Sequence, residues 1–300
     1  MPTRRGIIAG GAGLMLAGCA GDIQSTEQPT PDKAKASARI AAIEARLGGR
    51  IGVSAIDTGS DAEINHRAQE RFAMASTFKW LLAAGVLKRC EEGLNLDAVM
   101  YFTPSDLLPT SPVTSAEISA TTGMGSLSVE QLCEAIVTVS DNAAANLLLV
   151  PMFGPEGLTR FLRESGDPHT RLDRVEPELN ENRPNDLRDT TVPHAMARTL
   201  RRLLTTDEVL NANSRARLTG WMEKASTGLD RLRAGFPDSW RAGDKTGTGG
   251  NGSHNDCCIV WPPGRSPIVI ASYLSESAAP NIDKAAAHAE IARIIVEEFA

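Results

Sequence analysis

Ser76-Thr77-Phe78-Lys79, followed in order by Ser140-Asp141-Asn142, Glu176-Pro177-Glu178-Leu179-Asn180 and Lys245-Thr246-Gly247, decides the reading of this 300-residue chain. A serine with a lysine one helical turn on is a nucleophile with a proton acceptor on the same face. The second serine and second lysine can complete a proton path and an anion-binding wall, and the glutamate with its following asparagine can hold a water. Each piece alone is weak. Ser-x-x-Lys arises roughly once by chance in a chain of this length. On its own Ser76 reads as a helix N-cap and Lys79 as a solvated side chain. Ser140-Asp141-Asn142 equally reads as an N-cap cluster before the apolar run Ala143 to Val150, and Lys245-Thr246-Gly247 as a strand end. Their occurrence together and in order points to chemistry in which a serine is acylated and the ester then hydrolysed.

Outward from these motifs the elements are legible at both ends of the chain. Asp32 to Leu47 reads as a helix with Ile40, Ile43 and Leu47 on one face and Gly48-Gly49 ending it. Ile51 to Asp57 alternates as a strand. Trp240 to Lys245, Cys257 to Trp261 and Ile268 to Leu274 read as strands, with Pro262-Pro263-Gly264 turning between the last two. Asp283 to Phe299 closes as a helix, with Ile291, Ile294, Ile295 and Phe299 at helical spacing. The middle is mostly helical. The expected fold is α+β: the two chain ends build one antiparallel sheet covered by helices, and the middle forms a helical lobe.

An apolar fraction of 42% over 300 residues suffices for a substantial core in one or two domains. A formal charge of −6 argues against nucleic-acid binding. Arg4-Arg5, an apolar stretch from Gly6 to Ala17 too short to span a bilayer, and Leu16-Ala17-Gly18-Cys19 read together as an export signal. Its end resembles a lipobox, with Cys19 lipidated as the mature N-terminus, and Thr3 to Ile8 partly resembles a twin-arginine signal. The expectation is residues 1–18 as signal, 19–32 as flexible linker, 33–69 with 225–300 as an α/β domain and 70–224 as a helical domain. The protein would be exported, periplasmic or at the cell surface, and tethered to a membrane by lipid. The histidines at 66, 169, 194, 254 and 288 show no zinc-ligand spacing, so no metal is expected.

With these motifs in place, the chain resembles the class A serine β-lactamases, which share the Ser-x-x-Lys, Ser-Asp-Asn and Lys-Thr-Gly set with penicillin-binding proteins. Arg71-Phe72, Ser111-Pro112-Val113-Thr114, Leu132-Cys133, Asn146-Leu147-Leu148-Leu149, Asp186 to Thr191 and Trp261-Pro262-Pro263 extend the match, which covers roughly residues 35 to 300. The resemblance implies a five-stranded antiparallel sheet with the active site between it and the helical lobe. It implies hydrolysis of penicillins and cephalosporins by a monomer that needs no cofactor. Ser76 would be the nucleophile and Lys79 or Glu176 the acylation base, with Ser140 passing a proton to the leaving nitrogen. Glu176 would be the base for deacylation, with Asn180 holding its water. Asn142, Lys245, Thr246, Gly247, Thr248 and Arg231 would bind substrate, with His254 a weaker candidate for its carboxylate. The N–H groups of Ser76 and Thr248 would form the oxyanion hole. Arg174 and Asp189 would tie the ends of the glutamate loop by a bidentate bridge, and the Glu176-Pro177 bond would be cis.

Some positions depart from the family pattern. Thr110 stands where an aromatic usually flanks the pocket mouth, and Asn251 replaces a common tyrosine. Ala75 and Gly249 stand where one carbapenem-hydrolysing subgroup has a cysteine pair. Ala83 stands where many relatives have the partner of Cys133, so Cys90, Cys133, Cys257 and Cys258 are expected as buried free thiols, the adjacent pair on opposite faces of a strand. Two rivals share most motifs: a D,D-peptidase and a penicillin-sensing receptor. Glu176 in its loop separates the chain from both.

Overall fold

A computed structural model describes residues 32–299; the export segment, Cys19 and the linker up to residue 31 lie outside them. The Asp32 side chain accepts the Lys35 N–H at 3.0 Å and starts α1 (Lys33–Leu47). Gly48 ends it at φ 67°, a left-handed conformation that costs a glycine little. Strands β1 (Arg50–Asp57) and β2 (Glu63–His66) follow. The middle of the chain contributes β3 (Phe72–Ala73), α2 (Phe78–Glu91), β4 (Val99–Phe102), α3 (Pro112–Ala116), β5 (Gly125–Ser128), α4 (Val129–Thr138), α5 (Asn142–Leu149), α6 (Gly154–Glu164), β6 (Thr190–Thr191), α7 (Pro193–Thr205) and α8 (Ala212–Glu223). The chain returns through β7 (Arg241–Thr248), β8 (His254–Trp261) and β9 (Ile268–Ser275) and closes with α9 (Asn281–Phe299).

The main sheet runs β2-β1-β9-β8-β7, antiparallel throughout, so the two chain ends do share one sheet. Its fifth strand, β2, escapes the periodicity reading because only Ile64 of its four residues is buried. Strand β7 runs on to Thr248, which places Lys245-Thr246-Gly247 inside the strand instead of at its end. Strand β8 starts at His254, earlier than the apolar run suggests, because His254, Asn255 and Asp256 are buried polar residues.

The sheet separates two cores. Cys257 packs into the larger one, with the helical half, while Cys258 points into the other, beneath α1 and α9 with Ile40, Ile43, Ile291 and Ile295. Adjacent strand residues face opposite sides, as the pleat requires. On the helical side every residue of α2 from Phe78 to Leu87 is buried, so this helix is enclosed by α4, α5, α6 and α8. Each fully buried large apolar side chain there contributes about 1.5–3 kcal/mol. Cys133, Cys257 and Cys258 are free and buried; Cys90, expected to be buried, is only half-buried near the end of α2.

Candidate active site

Ser76 lies in a single 3-10 turn, Ala75–Thr77, that runs straight into α2. Ala75 has φ 44°, a left-handed conformation that a residue with a β-carbon adopts only at a cost of about 1–3 kcal/mol. Two strands of the sheet hold the turn in place. Strand β7 passes so close that a methyl group on Gly247 would stand 2.6 Å from the Met74 carbonyl oxygen and 3.0 Å from the Thr77 nitrogen. From β8 the Asn255 side-chain amide donates to the carbonyls of Ala73 at 2.9 Å and Met74 at 3.0 Å.

One turn on from Ser76, at the start of α2, the Lys79 ammonium is completely buried. It donates to the Ser140 carbonyl at 2.8 Å and Asn142 Oδ1 at 2.5 Å, and lies 3.2 Å from Ser140 Oγ. Asn142 Nδ2 donates to the Pro109 carbonyl at 2.9 Å, which fixes the amide with its oxygen toward Lys79. Glu176 Oε1 stands 3.1 Å from Lys79 Nζ. This contact is an ion pair without hydrogen-bond alignment, since the same oxygen is buried with no hydrogen-bond partner among the described residues. Burial pulls the Lys79 pKa below the ordinary lysine value, and the Glu176 charge opposes that pull.

Glu176 is positioned by its own loop and by α5. Asn146 pairs with its backbone on both sides: Oδ1 accepts the Glu176 N–H at 2.9 Å and Nδ2 donates to its carbonyl at 2.9 Å. Asn180 Nδ2 donates to Glu176 Oε2 at 2.5 Å. The Glu176-Pro177 bond is cis. Arg174 does reach Asp189, but through one contact only, Nε to Oδ2 at 2.6 Å; its Nη1 goes instead to Glu181 at 2.6 Å. The guanidinium therefore splits between two carboxylates, because Asp189 Oδ1 is already occupied by the N–H groups of Asp173 at 2.8 Å and Arg174 at 2.9 Å.

The opposite wall belongs to β7. Lys245 Nζ donates to the Thr246 carbonyl at 2.8 Å and to Ser140 Oγ at 3.2 Å, so the Ser140 oxygen sits between two buried lysines. Burial, then repulsion from Lys79, brings the Lys245 pKa down to about 7. Arg231 is nearly buried and donates to the carbonyls of Gly247 at 3.1 Å and Asn255 at 2.7 Å and to Thr248 Oγ1 at 2.8 Å. A cleft of about 380 Å³ opens between the walls, lined by Ser76, Thr110, Ser140, Asn142, Asn180, Arg231, Thr246 and Thr248 among others.

The structure thus gathers Ser76, Ser140, Asn142, Asn180, Arg231, Thr246 and Thr248 on one cleft, backs it with Lys79, Glu176 and Lys245, and uses Gly247 for close approach. Arg174 and Asp189 act on the loop, away from the cleft. His254 does not line the cleft: it is buried and stacked on His288 at 5.3 Å, so the substrate-carboxylate role fails for it on access alone. Asn251 is also absent from the cleft and lines a separate cavity behind the glutamate loop.

A family profile described as "Beta-lactamase enzyme family" matches residues 35–299. Beta-lactamase AST-1 of Nocardia asteroides is 46% identical over 267 residues, 88% of this chain and 84% of that protein. The carbapenem-hydrolyzing beta-lactamase KPC of Klebsiella oxytoca is 46% identical over 254 residues, 84% of each. Among solved structures, an ancestral class A beta-lactamase is 50% identical with a TM-score of 0.85, over 88% of this chain and 100% of that one. The chain belongs to the class A β-lactamases.

In this β-lactamase, motif reading missed three residues that position the site. Asp141, inside the Ser-Asp-Asn motif, is buried and accepts the N–H groups of Val113 at 3.0 Å, Thr114 at 2.9 Å and Ala144 at 2.9 Å, pinning the 111–114 loop to α5. Asn146 holds the backbone of Glu176, and Asn255 holds the nucleophile turn. The signal that could have found Asn255 is its place in a polar triplet inside an otherwise apolar strand.

Proposed function

We propose that this β-lactamase opens the four-membered amide ring of penicillins and cephalosporins through an ester on Ser76, and so confers resistance to them. The substrate carboxylate would lie against Thr246, Thr248 and the positive charges of Lys245 and Arg231. The N–H groups of Ser76 and Thr248 would take the carbonyl oxygen as it becomes an oxyanion. Lys79 is read as an ammonium at rest: it donates to the Ser140 carbonyl and Asn142 Oδ1, and the Glu176 carboxylate 3.1 Å away favours its positive charge. A protonated Lys79 cannot accept the Ser76 proton first, which assigns the initial base role in acylation to Glu176 through a water. Ser140, with its oxygen facing Lys79 and Lys245, would give its hydrogen to the leaving nitrogen and be resupplied from Lys79, which would regain its proton from Glu176 and leave that residue a carboxylate again. Glu176 and Asn180 would then direct water onto the ester.

The observation that carries this reading is the Glu176 carboxylate beside the cleft, fixed by Asn146, Asn180 and Lys79. An acylated peptidase or sensor needs no such base. Turnover of a chromogenic cephalosporin by the mature domain, with intact-mass detection of adducts, tests it. Many turnovers without a lasting adduct are expected; one persistent stoichiometric adduct would replace the hydrolase with a penicillin-binding peptidase or sensor. Carbapenems are not included in the proposed spectrum. Ala75 Cβ and the place where a Gly249 Cβ would stand are 3.4 Å apart, close enough for a disulfide, but this chain has no cysteine at either position.

We further propose that the enzyme is exported, lipidated at Cys19 and works as a membrane-tethered monomer in the periplasm or at the cell surface. The Arg4-Arg5 start and the Leu16-Ala17-Gly18-Cys19 end of the leader support this reading. Metabolic labelling with a palmitate analogue, compared between the parent and Cys19→Ser, tests it; labelling that survives the substitution would remove the anchor.

A further inference from the structure

Behind the glutamate loop lies a second cavity, of about 570 Å³ and larger than the catalytic cleft. Its roof is the 182–187 segment, its floor the β3–β6 ribbon with Arg71 and Thr190, and one side the end of the main sheet with Arg50 and Glu276. The charges on its wall sort cleanly. Arg50 is paired with Glu276 at 3.0 Å and with Glu70 at 3.0 Å, Arg183 with Glu181 at 2.7 Å, and Asp186 with Arg188 at 2.7 Å. Arg71 is the exception: among the described residues no carboxylate lies within ion-pair distance of it. Its Nη1 donates to the His169 carbonyl at 3.1 Å and to Thr190 Oγ1 at 3.0 Å, and its Nε and Nη2 donate to no group among those residues.

The surroundings of Arg71 sharpen the point. Two further guanidiniums, Arg163 and Arg171, repel it. Arg163 is spent on the carbonyls of Asp167 and Thr170, both at 2.6 Å, and Arg171 is tied to Asp173 at 2.5 Å. Asp167 and Asp173 lie near enough to offset part of the repulsion, yet burial and the two arginines together still hold the Arg71 pKa below its ordinary value. A half-buried guanidinium with spare donors, facing a polar cavity and repelled by its neighbours, is a site that an anion would relieve. The wall adds a neutral donor from the side chain of Asn185, whereas Asn182 Nδ2 is already spent on the Gly250 carbonyl at 3.1 Å and Ser275 Oγ at 3.0 Å.

We propose that this cavity binds a small molecule bearing a phosphate or sulfate group, with Arg71 as its principal contact and Asn185 closing over it. A tetrahedral oxyanion offers several acceptor oxygens to a forked guanidinium, a match that a chloride cannot make. The volume exceeds that of a bare phosphate, so a phosphorylated or sulfated small molecule fits better than the free ion. The roof belongs to the segment between Arg174 and Asp189 that carries Glu176 and Asn180, so occupancy would brace the loop that holds the deacylation base. The site is independent of the chemistry proposed for the cleft.

The test is an amide-resolved NMR titration of the mature enzyme with inorganic phosphate at constant ionic strength. Saturable shifts are expected at Asn182, Arg183, Asn185, Asp186 and Leu187 and at Thr190. Arg71→Gln should weaken binding about tenfold or more, the scale of a lost charge-assisted hydrogen bond. Asn185→Asp keeps every Arg71 contact and places a negative charge on an exposed left-handed loop position, where φ is 63° and aspartate is tolerated. It should weaken binding similarly, and it decides the matter if the Arg71 variant does not fold. The absence of saturable shifts would overturn the proposal. So would shifts confined to Ser76, Thr246 and Thr248 that vanish in Arg231→Ala, since the anion would then sit in the catalytic cleft.

Discussion

Lys245 has its pKa brought down to about 7 by burial and by Lys79, and it contacts the Ser140 hydroxyl that is assigned to the leaving nitrogen. In the proposed mechanism its charged form attracts the substrate carboxylate. In the free enzyme kcat/KM should therefore fall as the pH rises through about 7, and Lys245→Arg should abolish that alkaline limb because a guanidinium keeps its proton. An unchanged limb in the arginine variant would assign the titration to another group. The sign for stability is opposite. Between about 7 and the ordinary lysine value of 10.5 the unfolded chain holds the proton and the folded one does not, so the cost that this buried residue imposes on folding falls away as the pH rises across that window. At this scale the sequence was legible for the groups that gather at the cleft, since the chemistry proposed there demands particular residue types at particular spacings. It assigned no role to Asn146 or Asn255, whose work is to hold backbone, a task that leaves no spacing rule.

Strand β7 and the nucleophile turn meet at Gly247, where a methyl group would be forced against the Met74 carbonyl oxygen. Gly247→Ala should push the strand from the turn, lowering kcat/KM by about 10²-fold, since displacements near 1 Å in a catalytic constellation have that effect. Steady-state kinetics beside a folding check by circular dichroism measures it; parental activity would mean that the contact does not set the geometry. Elements were legible where one face alternates or repeats, as in α1 and α9. They were blurred in β2, too polar to show a face, and in β8, whose first residues are polar because they serve the site. The paired loop bridge expected for Arg174 and Asp189 became a fork to two carboxylates for a similar reason: backbone N–H groups had already claimed one oxygen, and a sequence does not display that competition.

Across the molecule, one sheet made from both chain ends separates two apolar cores, and the catalytic parts lie on its helical side. Leu81, fully buried in α2, sits at the centre of that half. Leu81→Ala should lower the unfolding free energy by about 2–5 kcal/mol, read by urea denaturation. Trp80 and Trp221 belong to one core, while Trp240 packs on the other. Because strands tie the halves together, fluorescence and circular dichroism transitions should coincide in the parent; a separate early transition would show that the halves unfold independently. The central claim, that Glu176 turns an acylated serine protein into a hydrolase, is tested most directly by intact-mass kinetics of Glu176→Gln with a chromogenic cephalosporin. The account predicts that a Ser76 adduct accumulates and that its hydrolysis slows by about 10²–10⁴-fold, the scale of a lost general base. Hydrolysis of that adduct at the parental rate would contradict it.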